Sequence, residues 1–260
     1  MKKLILFSFI VVLLTSCNNE RNTDKTPGAT DQVDTLAYTY DSVKVYSKNP
    51  VKVDTAKAVV KYPVFKSKEL NDYIERQVFN YFGEEEKVAG YQNIASSFIK
   101  GYDEFYAENK NTSESWFLLI DIKVLVQQPK YISLQYTHSD YAGGAHANTN
   151  ISYLNFNPKT NQPITLDSLI NTNQKSKLLS VAEAIFRKDE NLTATEPLTD
   201  KYFFDKGKFS LPLSFFVGKE GLVFLYNPYE IKPFAAGITK LIIPFSQLKG
   251  IAKSNTILSK

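Results

Sequence analysis

The chain has 260 residues, of which 43% are hydrophobic, 13% aromatic and 22% charged. A chain this apolar and aromatic can bury a core, which excludes a disordered, collagen-like or coiled-coil protein. Its net charge of +4, from 31 Lys and Arg against 27 Asp and Glu, is too mild for a nucleic-acid binder, and no basic cluster stands outside the first residues.

Met1-Lys2-Lys3 is a short basic start, and Leu4 to Leu14 is apolar apart from Ser8. Small residues then precede Cys17. A basic start, an apolar run of about 7–15 residues and a small-residue cleavage site mark a secretory signal. The run is too short to span a bilayer, which takes about 20 apolar residues. Leu14-Thr15-Ser16-Cys17 resembles a bacterial lipobox. That resemblance implies removal of residues 1–16 and lipidation of Cys17 with acyl chains such as palmitate, two or three of which anchor stably. Cys17 is the only cysteine, so the expected lipid also gives the odd thiol of an exported protein a role. Losing residues 1–16 removes two lysines and no acid, which takes the charge from +4 to +2. Asn18 is not the Asp that resembles an inner-membrane retention signal, so an outer-membrane location in the cell envelope is expected where the organism has one.

Residues 17–35 are polar with a Pro-Gly, the composition of a tether. Hydrophobic pattern begins at Leu36. Leu36, Tyr38 and Tyr40 alternate, and Lys52 to Val64 is a second strand. Lys68 to Lys87 places Leu70, Ile74, Val78 and Phe82 four apart, which predicts a helix; Asn93 to Asn109 does the same with Ile94, Phe98 and Tyr102. The period then becomes two. Trp116 to Val126 and Tyr131 to His138 flank Gln128-Pro129-Lys130, a hairpin signal. A loop from Tyr141 to His146 leads to a strand at Thr149 to Asn157. Asp167-Ser168 opens a helical region interrupted near Asn171-Thr172-Asn173, and Lys175 to Lys188 presents Leu178, Leu179, Ala182, Ile185 and Phe186 on one face. Strands at Phe209 to Val217, Leu222 to Tyr226 and Ile238 to Pro244, with a short helix at Ser246 to Lys249, complete the chain. Strands outnumber helices and their neighbours are mostly sequential. The expected fold class is therefore α+β, with largely antiparallel sheets and helices packed on one side.

No dinucleotide, phosphate-loop, HExxH, CxxC or GxSxG motif occurs, so no cofactor is indicated. With no thiol in the body and only His138 and His146, a multi-histidine zinc site is excluded. His138, His146 and Asp140 are ligand types that suit zinc, but alternation puts His138 and Asp140 on one strand face and His146 across a glycine turn. We assign no metal and no catalytic residue; an acid–base pair of His146 with Asp140 or Glu230 would be needed for a hydrolase of cell-wall sugars.

Two segments stand out as candidate ligand-binding sites. Gly143, Gly144, Ala145 and His146 form a loop whose glycines permit positive φ and close approach. The stretch from Tyr226 to Gly237 carries two prolines, with Tyr229, Glu230 and Phe234 as an amphipathic surface of the kind that stacks on sugars or anchors an interface.

These segments also carry a resemblance. Tyr62-Pro63-Val64-Phe65 with the helix that follows, Tyr136 to Asn157, Leu166 to Ile170, Tyr226 to Ile231, Ala235-Ala236-Gly237 and Ile243-Pro244-Phe245 together resemble a secreted domain of unknown function over roughly residues 50–250. It is similar to the extracellular region of lysozyme-sensing anti-sigma factors and to the non-catalytic N-terminal region of peptidoglycan deacetylases. Ala147, Phe234 and Phe245 depart from the residues usual there. The resemblance implies a deacetylase-accessory-like part over 36–145 and an anti-sigma-ectodomain-like part over 146–260, packed as one unit. It further implies a membrane-anchored binding or sensing module whose partner is peptidoglycan, another glycan or a lysozyme-like protein. It imports no catalysis, because the Asp-Asp and His-x-x-x-His metal motifs of a deacetylase are missing. A structural subunit of an envelope complex is the remaining alternative.

Overall fold

The computed structural model describes residues 36–52, 54–82 and 90–259. The expected signal peptide, Cys17 and the tether lie outside the described residues, and from residue 36 on these form one compact unit.

β1 (Tyr38–Val51) and β2 (Asp54–Phe65) make a long antiparallel hairpin. Ala56, Ala58 and Val60 of β2 alternate inward and are fully buried, as a period of two requires. α1 (Lys68–Tyr81) starts at Ser67, whose hydroxyl accepts from the Leu70 backbone N–H at 3.2 Å. Its buried Leu70, Ile74 and Val78 are the stripe expected from the spacing. The helix ends at Tyr81 rather than Lys87, with Phe82 as its cap. α2 (Tyr91–Glu108) buries Tyr91, Ile94, Ala95, Ile99 and Tyr102, so Ile99 takes the buried place expected of Phe98.

β3 (Phe117–Gln128) lies beside β2 in parallel, from Lys57↔Phe117 to Lys61↔Asp121. This parallel pair follows from the connection: two helices carry the chain from the end of β2 back to the start of β3. β4 (Tyr131–Tyr141), β5 (Asn148–Asn157) and the two-residue β6 (Gln162–Pro163) add on antiparallel, giving the order β1-β2-β3-β4-β5-β6. Leu118, Ile120, Ile122, Ile132, Leu134 and Phe156 meet α1 and α2 in the first core.

The second core is built on α3 (Leu166–Leu169), α4 (Lys175–Asp189) and the sheet of β7 (Phe215–Val217), β8 (Gly221–Tyr226) and β9 (Thr239–Pro244). α4 buries Leu178, Ala182 and Phe186, while Leu179 stays 37% exposed and leaves the expected face. The strand expected over Phe209 to Val217 shrinks to Phe215–Val217. Pro212 has no N–H for a ladder, and Leu213 is 98% exposed. Gly221 is required where β8 meets β9, since a Cβ there would sit 2.0 Å from the Ile243 carbonyl oxygen.

A buried polar bridge joins the two sheets. The Tyr131 hydroxyl donates to Asn155 Oδ1 and accepts from the Val217 N–H, each at 2.7 Å, and Asn155 Nδ2 donates to the Phe215 carbonyl at 2.7 Å. A division at 145/146 cuts between β4 and β5, which pair from Ile132↔Phe156 to Asp140↔Asn148. The architectural change comes after β6 instead, because β5 belongs to the first sheet.

Candidate functional site

β4 and β5 are joined by the glycine loop. Gly143 and Gly144 have φ of +96° and +105°, a region that L side chains rarely adopt. The Tyr141 hydroxyl donates to the Gly144 carbonyl at 3.1 Å and braces the turn. The glycines thus shape the loop, and His146 emerges from it exposed.

The loop between β8 and β9 is pinned at three points. Asn227 brackets Ile151 of β5 as a strand neighbour would: its Oδ1 accepts from the Ile151 N–H at 2.7 Å and its Nδ2 donates to the Ile151 carbonyl at 2.9 Å. The Ile231 carbonyl accepts from the Phe203 N–H at 3.0 Å, with the Ile231 side chain buried. Lys232 Nζ lies 2.6 Å from Glu190 Oε1 at the end of α4, and the other oxygen of Glu190 accepts from the Tyr202 hydroxyl at 2.9 Å. Tyr229 takes a left-handed φ of +67°, and its N–H donates to the Lys232 carbonyl.

These two loops meet. The His146 ring stacks on Phe234 with centroids 4.0 Å apart and planes at 13°. Tyr229 lies 5.6 Å from Phe234, centroid to centroid, and its hydroxyl is 3.3 Å from His146 Nε2. His146 Nδ1 lies 3.1 Å from the Ala147 carbonyl, which can only accept. The neutral ring therefore carries its proton on Nδ1 and accepts from Tyr229 through Nε2. Tyr229 is 58% exposed and Phe234 is half-buried. The result is a three-ring surface built from residues 83 positions apart and more, held by loops whose backbones are already ordered.

Of the other candidates, Glu230 does not join the cluster. Its Oε2 accepts from the Asn227 N–H at 2.8 Å, closing its own loop. Asp140 is engaged elsewhere, 3.3 Å from His138 Nε2 and 3.4 Å from Asn148 Nδ2. Among the described residues no carboxylate lies within ion-pairing reach of His146, so neither acid–base pair that the hydrolase alternative needs is assembled. Among the same residues, no group of three His, Cys, Asp or Glu converges as a metal site.

His138 and Asp140, weighed above only as metal ligands or as partners of His146, pair with each other on one face of β4. His138 is 4% exposed, its ring stacks on Tyr81 at 4.1 Å, and its Nδ1 is 3.2 Å from the Tyr136 hydroxyl. The carboxylate beside Nε2 favours a proton there, leaving Nδ1 to accept from Tyr136. Burial lowers the histidine pKa from its ordinary 6.5, and Asp140 opposes that shift. Their i, i+2 spacing in a strand was the available signal.

Residues 51–149 match a family model described as "Deacetylase PdaC", and residues 167–246 match one described as "Protein of unknown function (DUF3298)". No curated protein matches the chain. Two solved structures share its fold. One is a DUF3298 family member from Bacteroides fragilis, 24% identical over 86% of this chain and 97% of its own, with a TM-score of 0.66. The other is a DUF3298 family protein from Pseudomonas aeruginosa, 16% identical over 87% and 97%, also with a TM-score of 0.66. The chain thus joins, in this order, a segment matching the PdaC model and a segment matching the DUF3298 model on one α+β body.

Proposed function

We propose that the chain is a lipid-anchored binding module of the bacterial cell envelope, and that the surface of His146, Tyr229 and Phe234 takes the sugar backbone of peptidoglycan. The observation that carries this reading is the ring cluster itself: two exposed rings and one half-buried, assembled from two pinned loops. Aromatic faces offer a large contact area with little rotamer freedom to lose, and hydroxyl and imidazole groups at the rim can hydrogen-bond a polyol. Loops already anchored to β5 and α4 pay little further ordering cost on binding. The match to a deacetylase-named model over 51–149 agrees with a cell-wall setting. The mild positive charge gives no attraction to a basic lysozyme-like protein, which leaves the glycan as the better-supported partner.

The test is co-sedimentation of residues 36–260 with purified sacculi. Tyr229→Ala with Phe234→Ala is expected to weaken retention about tenfold or more, the size of losing one well-packed aromatic anchor. Tyr46→Ala removes an equally exposed tyrosine of β1 and should leave retention unchanged. Equal retention of all three proteins would remove the ring cluster from recognition. Retention on immobilised lysozyme but not on sacculi would replace the glycan by a protein partner.

A further inference from the structure

A second concave site lies away from the ring cluster and does not depend on the reading above. Residues of α1, its cap Phe82, α2, β3 and β4 line an open cleft of about 640 Å³, within the range of small-molecule sites. Its apolar walls include the rings of Tyr81, Phe82 and Phe98. Its polar side has Ser96, Ser97, His138 and Asp140.

The charge of this lining is one-sided. Among the described residues that line it, Asp140 is the charged one and none is Lys or Arg. The Asp140 side chain is only 23% exposed, and among the described residues its ion-pairing partner is His138 alone. His138 is buried and held near neutral, because burial lowers its pKa. The ring can therefore orient the carboxylate by a hydrogen bond but supplies no full positive charge. A carboxylate at the cavity wall offers a ligand cation a charge-assisted hydrogen bond. Aromatic faces attract the same kind of ligand through their negative quadrupole, more strongly once water is excluded.

We infer that this cavity is a receptor for an organic ammonium group: a primary alkylamine whose head meets Asp140 and whose apolar chain lies against Tyr81, Phe82 and Phe98. Ser96 and Ser97 add hydroxyl groups to the lining, the Ser96 oxygen already accepting from Gln92 Nε2 at 3.0 Å. A neutral sugar would leave the carboxylate uncompensated, and an anion would be repelled by it.

The chain's one tryptophan provides a readout. Trp116 stacks on Phe105 at 5.0 Å and lies 6.1 Å from Phe98, whose ring lines the cavity. The full-length protein in detergent would be titrated at pH 7.5 with n-pentylammonium, 1-pentanol and pentanoate, following Trp116 emission and calorimetric heat. Saturable binding of the ammonium, at least tenfold tighter than the alcohol, with no binding of pentanoate, is expected. Asp140→Asn should abolish that tenfold preference, whereas Tyr229→Ala with Phe234→Ala should leave it intact. Equal affinity for ammonium and alcohol, or no saturable binding of the ammonium, overturns the inference in the unmodified protein. That comparison holds even where Asp140→Asn fails to fold. An ammonium preference that survives in folded Asp140→Asn also overturns it. Loss of sacculus binding would leave this result untouched, so the two proposals fail separately.

Discussion

Burial of a single imidazole ties the stability of this protein to pH. His138 faces Asp140, Tyr136, Tyr81 and Phe82, and desolvation lowers its pKa below the ordinary 6.5 against the pull of Asp140. The unfolded chain therefore binds a proton near pH 6.5 that the folded ring accepts only at lower pH. Stability from this group is complete above 6.5 and is lost as pH falls from there toward the folded pKa. Thermal unfolding of residues 36–260 followed between pH 8 and pH 5 should show Tm falling below about 6.5, and His138→Gln should flatten that part of the curve. Parallel curves for the two proteins would contradict the assignment. At this scale the sequence was informative about residue type and less so about company. His146, Tyr229 and Phe234 were legible as unusual residues in Gly- and Pro-punctuated loops. Glu230 looked equally apt, yet its carboxylate is spent on the Asn227 N–H, a local bond that composition does not reveal.

Secondary-structure elements were legible where one face is buried and one is wet. α1 shows its stripe because Leu70, Ile74 and Val78 face a single sheet. β1 was recognised only at its start; from Val43 to Val51 it alternates in burial, but Ser47 and Asn49 take two of the inward places, so the hydrophobic pattern there is weak. Contacts between elements were invisible, and the bridge from β4 and β5 to β7 is the clearest case. Tyr131→Phe would leave the Val217 N–H and Asn155 Oδ1 buried without their partner. The expected cost is about 2 kcal/mol, seen as a fall of roughly 4–8 °C in Tm. Tyr153 is buried to a similar degree but makes no comparable bridge through its hydroxyl, so Tyr153→Phe should change stability by less than about 1 kcal/mol. Equal effects of the two substitutions would mean that the bridge is not what couples the sheets.

For the whole molecule, the proposed reading assigns attachment to the N-terminal residues. No helix among the described residues is long and apolar enough to cross a membrane. On the proposed reading, the lipid on Cys17 holds the protein in the envelope, with the polar residues that follow as a tether for the body. Cys17→Ser in the native host should move the protein from the membrane pellet to the soluble fraction and abolish incorporation of labelled palmitate. Unchanged fractionation would show that something other than the lipid retains it. On the same reading, removal of residues 1–16 leaves a charge of +2, which supplies little electrostatic attraction to anionic lipid, so the expected release is near complete.

Periodicity and punctuation in the chain were enough for the α+β class, for most strands and for the helices, because each depends on residues within a turn or two of one another. The parallel entry of β3 beside β2, the junction through Tyr131 and Asn155, and the meeting of His146 with Tyr229 and Phe234 were not readable there. Each depends on segments tens of residues apart whose separation in space is set by packing of the two cores. Local pattern says which face of an element is apolar; only the assembled cores say what that face, and the loops beside it, will touch.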